Sequence, residues 1–164
     1  MMAFQRLRRG LVLGALSTAL AAAFPGAASA QQGPGVTDKE IKIGAWLPLT
    51  GPIAVVGVPQ QAGFEAYIKM TNDRGGVNGR KISWIVEDNA FNPQRTATAA
   101  RKLVTRDEVL AIVHANGTVQ SLAAFPYLFD EAKIPFIFPY AGLKDWWYPP
   151  RDNLYGLFVN NENQ

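Results

Sequence analysis

Short apolar runs alternate with stretches of helical periodicity from Ile41 to Val159, and this alternation constrains the fold more than any other feature of the chain. Strands buried on both faces read as near-continuous apolar runs, and parallel neighbours need a crossover of a dozen or more residues, usually a helix. Residues 41–47 read as a first strand ended by Pro48, followed by a loop over residues 49–57. A helix is expected over residues 59–72, with Phe64, Tyr67, Ile68 and Thr71 on one face and Pro59 in its first turn. Residues 73–79 are dense in turn chemistry, and residues 81–87 read as a second strand. Asn92 as N-cap and Pro93 behind it open a second helix, with Thr96, Ala100, Leu103 and Val104 facing inward. Residues 109–113 form a third strand, and residues 118–132 a helix bent at Pro126. Strands four and five fall at residues 134–138 and 155–159, separated by an irregular Trp146-Trp147-Tyr148-Pro149-Pro150 segment. The expected class is α/β, a parallel sheet flanked by helices. Such sheets bind ligands beyond the carboxyl ends of their strands, here residues 49–57, 88–92, 114–118 and 139–142.

The first thirty residues follow a different logic. Arg6, Arg8 and Arg9 precede an apolar stretch over residues 11–24, and Ala28-Ser29-Ala30 supplies the small residues of a cleavage site. The stretch is shorter than the roughly 20 residues that span a bilayer. Residues 1–30 therefore read as a signal peptide cleaved near Ala30, residues 31–37 as a flexible leader, and residues 38–164 as one domain working in the periplasm. Arg8-Arg9 resembles the pair of a twin-arginine signal, but the residues downstream do not continue that pattern, and ordinary secretion is expected. Without those three arginines the chain carries 13 Lys+Arg against its 13 Asp+Glu, so no basic surface argues for nucleic acid. No cysteine is present, so stability must come from an apolar core.

Nothing resembles a nucleotide or hydrolase motif: G-x-G-x-x-G, the P-loop, G-x-S-x-G and H-E-x-x-H are all missing. No cofactor or metal is expected. His114, the one histidine, reads as a strand-end residue satisfied locally. The stretch His114-Ala115-Asn116-Gly117-Thr118 joins a strand to a helix, where backbone N–H groups favour an anion. Thr118 either caps that helix or turns its hydroxyl to a ligand carboxylate, with the N–H of Val119 assisting. Asp88 and Asn89 offer a carboxylate and an amide at the end of strand two, and read as turn and cap residues. The Trp146-Trp147-Tyr148 cluster reads as sealing an apolar edge, with a ligand wall as the alternative.

The series IGAWLPLTGPIAVVG, NDRGGVNGRKI, EDNAFNPQRTATAARKLV, HANGT and AKIPFIFPYAG, in that order, resembles the leucine/isoleucine/valine-binding-protein-like group of periplasmic substrate-binding proteins of ABC transporters. The resemblance implies a type I periplasmic binding fold, of which this chain would be most of lobe one, with the second lobe missing. It implies ligand contacts from Asn116, Thr118 and Val119 in one loop and from Tyr140, Ala141 and Gly142 in another, with Val56 at the cleft mouth. Tyr140 stands where relatives commonly have a small residue, and Gly142 replaces a hydroxyl, which departs from a plain branched-chain amino acid site. The implied function is capture of an amino acid, amide or aromatic acid for a membrane permease, without catalysis. Sensing on behalf of a regulatory partner uses the same cleft and is the alternative. An enzyme would need a nucleophile–base pair that the sequence does not display.

Overall fold

The computed structural model describes residues 33–140, 142, 146 and 149–156, all within the second of the chain's two units, Gln31–Gln164. Strand β1 is Glu40–Leu47, helix α1 Ala54–Asp73, β2 Lys81–Asp88, α2 Pro93–Thr105 and β3 Ala111–Val113. Helix α3, Thr118–Leu122, is followed by a π-helical stretch at Pro126–Glu131, then β4 Phe136–Ile137 and β5 Leu154–Tyr155. The five strands form one parallel sheet in the order β2-β1-β3-β4-β5.

Pairing between β1 and β2 runs unbroken from Glu40 opposite Lys81 to Leu47 opposite Asp88. Phe64 of α1 packs on Trp84, the partner of Ile43 in that register. Gly44, one residue on, faces Leu103 of α2 instead. Successive strand residues point to opposite faces, so α1 and α2 cover opposite sides of the sheet. The core on the α2 side gathers Trp46, Leu103, Ile112, Leu128, Phe136 and Trp146, all fully buried.

Helix α2 begins as the sequence predicts, with the Asn92 side chain accepting from the Arg95 N–H and Pro93 behind it. Its buried face is Thr96, Ala99, Ala100 and Leu103, with Val104 partly buried against the core.

Helix α1 departs from expectation. It starts at Ala54, so Val56 is helical and Pro59 lies inside the helix. A turn closed by Ala54 N–H on the Gly51 carbonyl sets the first residues early. Pro59 is exposed and forfeits one helical hydrogen bond, a cost the flanking turns absorb. Tyr67 is also corrected: it is exposed, and the face toward the sheet is Gly57, Gln60, Phe64, Ile68 and Thr71.

The third helix is interrupted where a bend was expected. Pro126 lacks an N–H and its ring crowds the carbonyl four residues back, so α3 ends at Leu122 and the chain resumes as a π-helical stretch. Strands three and four are shorter than predicted, and of strand five the described part is Leu154–Tyr155. Trp146 is helical rather than irregular, and its ring lies 4.8 Å from that of Phe125, sealing the core. Trp147, Tyr148 and residues 157–159 lie outside the described residues. Residues 33–37, read as leader, turn back onto β1, with the Lys42 N–H donating to the Gly35 carbonyl at 2.7 Å.

Candidate functional site

In the order β2-β1-β3-β4-β5, the chain runs outward from β1 to β2 and then crosses back to β3 on the other side. The crossovers therefore diverge between β1 and β3, leaving a crevice at their carboxyl ends. Three stretches lie at those strand ends: residues 48–53, residues 114–117 and residues 138–140.

Asp88 at the end of β2 anchors the first loop. Its carboxylate accepts from the N–H groups of Leu49 (2.9 Å), Thr50 (3.3 Å) and Ala90 (2.9 Å) and from the Thr50 hydroxyl (2.6 Å). Burial pushes this carboxyl up, but hydrogen bonds from the Thr50 hydroxyl and from the Ala90, Leu49 and Thr50 amides outweigh it and hold it below the usual range. Asp88 is thus spent on shaping the loop. Asn89 is fully buried, donates to the Thr96 hydroxyl at 3.0 Å and accepts from the Phe91 N–H.

The second and third loops are built together. His114 (φ 62°) and Phe138 (φ 50°) end adjacent strands in the left-handed region, which bulky residues rarely occupy. Pairing resumes beyond the kink: Asn116 bridges Tyr140, the Tyr140 N–H donates to the Ala115 carbonyl (2.8 Å), and the Asn116 N–H donates to Trp46 of β1 (3.0 Å). Strain of this kind collects at ligand clamps, because only a surrounding structure that over-determines the backbone can maintain it. The His114 ring stacks on Phe64 at 5.1 Å and meets the Tyr140 ring edge-on at 6.5 Å. Burial lowers its pKa, opposed by a hydrogen bond with the Phe138 backbone, so the imidazole is held neutral at pH 7.

Asn116 and Tyr140 are neighbours on one rim. Asn116 is buried and donates from its side-chain amide to Gln60 at 2.7 Å, while Tyr140 is about half exposed. Gly117, not Thr118, is the N-cap of α3. Thr118 is the first helical residue, and its N–H and that of Val119 precede the first helical bond, Ser121 N–H to Gly117 carbonyl. Val119 is well exposed, Val56 sits in the first turn of α1, and Gly142 is buried. Ala141 lies outside the described residues. Ser121 of α3 is fully buried.

Sequence reasoning missed Gln60. Its amide donates to the His114 carbonyl at 2.9 Å and accepts from Asn116, tying α1 to the loop after β3. Its inward position at helical spacing from Phe64 was the available signal.

Among the described residues no helix is long and apolar enough to cross a membrane. Residues 40–164 match the family model for periplasmic binding proteins. Leu/Ile/Val-binding protein homolog 1 of Brucella abortus is 36% identical over 88 residues, which is 54% of this chain and 24% of that protein. The branched-chain amino acid transporter substrate binding protein LivJ from Streptococcus pneumoniae, solved with isoleucine, superposes with a TM-score of 0.65 at 28% identity, covering 73% of this chain and 34% of its own. A solute binding protein of an ABC transporter from Rhodopseudomonas palustris, solved with 3,4-dihydroxybenzoic acid, gives 0.54 at 35% identity, covering 60% and 26%. The chain thus matches about a quarter to a third of the length of these proteins. With the sheet order, the rim and these matches pointing the same way, the chain belongs to the periplasmic binding protein family, with the type I fold.

Proposed function

We propose that this protein is the extracytoplasmic solute-binding component of an ABC importer, delivering an amino acid, an amide or an aromatic acid to a membrane permease. Residues 1–30 serve as its signal peptide, cleaved near Ala30 on the way to the periplasm, and residues 38–164 form the lobe that presents the site. The observation that carries the reading is the junction of Asn116 and Tyr140 by backbone pairing at the β1/β3 crevice. Thr118 and Val119 would offer N–H groups and a hydroxyl to the solute's carboxylate, and Ala141 and Gly142 the backbone of the facing loop. Val56 would line the mouth. Tyr140 supplies an aromatic surface suited to a planar group, beside the neutral His114. Isoleucine and 3,4-dihydroxybenzoate, carried by two of the related structures, share a carboxylate, which supports this class of ligand.

Thermal unfolding of the full-length protein with a panel of L-amino acids, amides and aromatic acids tests the proposal. A ligand at a hundred times its Kd adds about 2.7 kcal/mol to the stability of the native state. A melting shift with at least one class, weakened by Tyr140→Ala, is the expected result. No shift across the whole panel refutes it.

A further inference from the structure

The loop after β3 holds two residues in the left-handed region three positions apart, His114 (φ 62°) and Gly117 (φ 110°), so something outside the loop must fix it. The side-chain amide of Gln60 meets that need at both ends. Its Nε2 donates to the His114 carbonyl (2.9 Å) and its Oε1 accepts from Asn116 Nδ2 (2.7 Å), so the backbone carbonyl before Ala115 and the side chain after it are held by one planar group. A primary amide presents a donor and an acceptor side by side in one plane. The adjacent Gln61 has a different task, donating to Glu65 at 2.8 Å on the exposed surface.

We infer that Gln60 is a positioning residue for solute capture: without touching the ligand, it sets the backbone that presents Thr118 and Val119. The inference rests on the binding role proposed above. Gln60→Met keeps the length and removes both hydrogen bonds. Gln60→Glu keeps the acceptor for Asn116 and loses the donor to His114, a milder change should the first variant not fold.

The test uses the full-length protein and has two arms. In the ligand-free arm, amide hydrogen exchange is followed at Asn116 and Tyr140, whose N–H groups donate to Trp46 and Ala115. Gln60→Met should raise exchange there about tenfold and leave the β2 and α2 amides unchanged, with Gln60→Glu intermediate and Gln61→Met like wild type. In the second arm, titration with L-isoleucine and 3,4-dihydroxybenzoate should show a Kd about tenfold weaker for Gln60→Met, which corresponds to about 1.4 kcal/mol. Unchanged exchange at Asn116 and Tyr140, or an unchanged Kd for a ligand that wild type binds, overturns the inference. If wild type binds neither probe, the choice of ligand class is what fails, and the exchange arm still decides the role of Gln60.

Discussion

Helix α1 carries two glycines in very different surroundings, and the pair makes a stringent test of how the helix seats on the sheet. A Cβ added at Gly57 would lie 2.1 Å from the Pro48 carbonyl oxygen and 2.7 Å from its carbon, where ordinary contact begins at 3.4 Å. Those atoms are backbone, at the end of β1, and cannot rotate aside. The start of α1 would have to lift off the crevice. Overpacking of this kind costs about 1–3 kcal/mol, and the better helix propensity of alanine returns up to about 1 kcal/mol. Gly57→Ala should therefore destabilise by a net of up to about 2 kcal/mol. Gly63 has nothing within 4 Å of its would-be Cβ, so Gly63→Ala gains only the propensity term, about 0.5–1 kcal/mol. Urea unfolding of the full-length protein measures both, read as a shift of midpoint at constant slope. Equal stability of the two variants would refute the packing of α1 on Pro48.

Three further outcomes are expected. Asp88 is held below the ordinary carboxylate range, so its contribution to stability is full above about pH 3.9 and fades as pH falls through the lower native value. Asp88→Asn should flatten the acid limb of a urea-midpoint profile, and an unchanged profile would contradict the anchoring role. The lowered pKa of His114 has a parallel consequence: its contribution is full above about pH 6.5 and erodes as pH drops toward the native value. His114→Asn should remove that slope between pH 7.5 and 5.5, measured by the same method. Thr96→Val strands the buried Asn89 amide and should cost about 1–3 kcal/mol by thermal or urea unfolding. A neutral substitution would mean that Asn89 finds another partner.

Much of this architecture is local in origin and could be read directly from the residues. Asn92 and Pro93 start α2 because an N-cap oxygen and a fixed φ act within three residues. Apolar runs mark the strands because a sheet covered on both faces leaves them no solvent side. The strand ends, and with them the residues of the rim, follow from the same periodicity. Helix α1 starts earlier than its sequence suggests because a helix can accommodate Pro59 on its exposed side, which composition alone does not reveal.

What remained hidden depends on residues far apart in the chain. Gln60 reads as an ordinary helical glutamine until folding brings it to partners 54 and 56 positions away. The left-handed backbone of His114 and Phe138 has no sequence signal, since isolated chains avoid it and only strands held side by side impose it. Residue types and their spacing determined the elements and the end of the sheet where a ligand would bind. The strand order, the kinked rim and the amide that fixes it were decided by tertiary structure, because hydrogen bonds between distant segments exist only once those segments are packed.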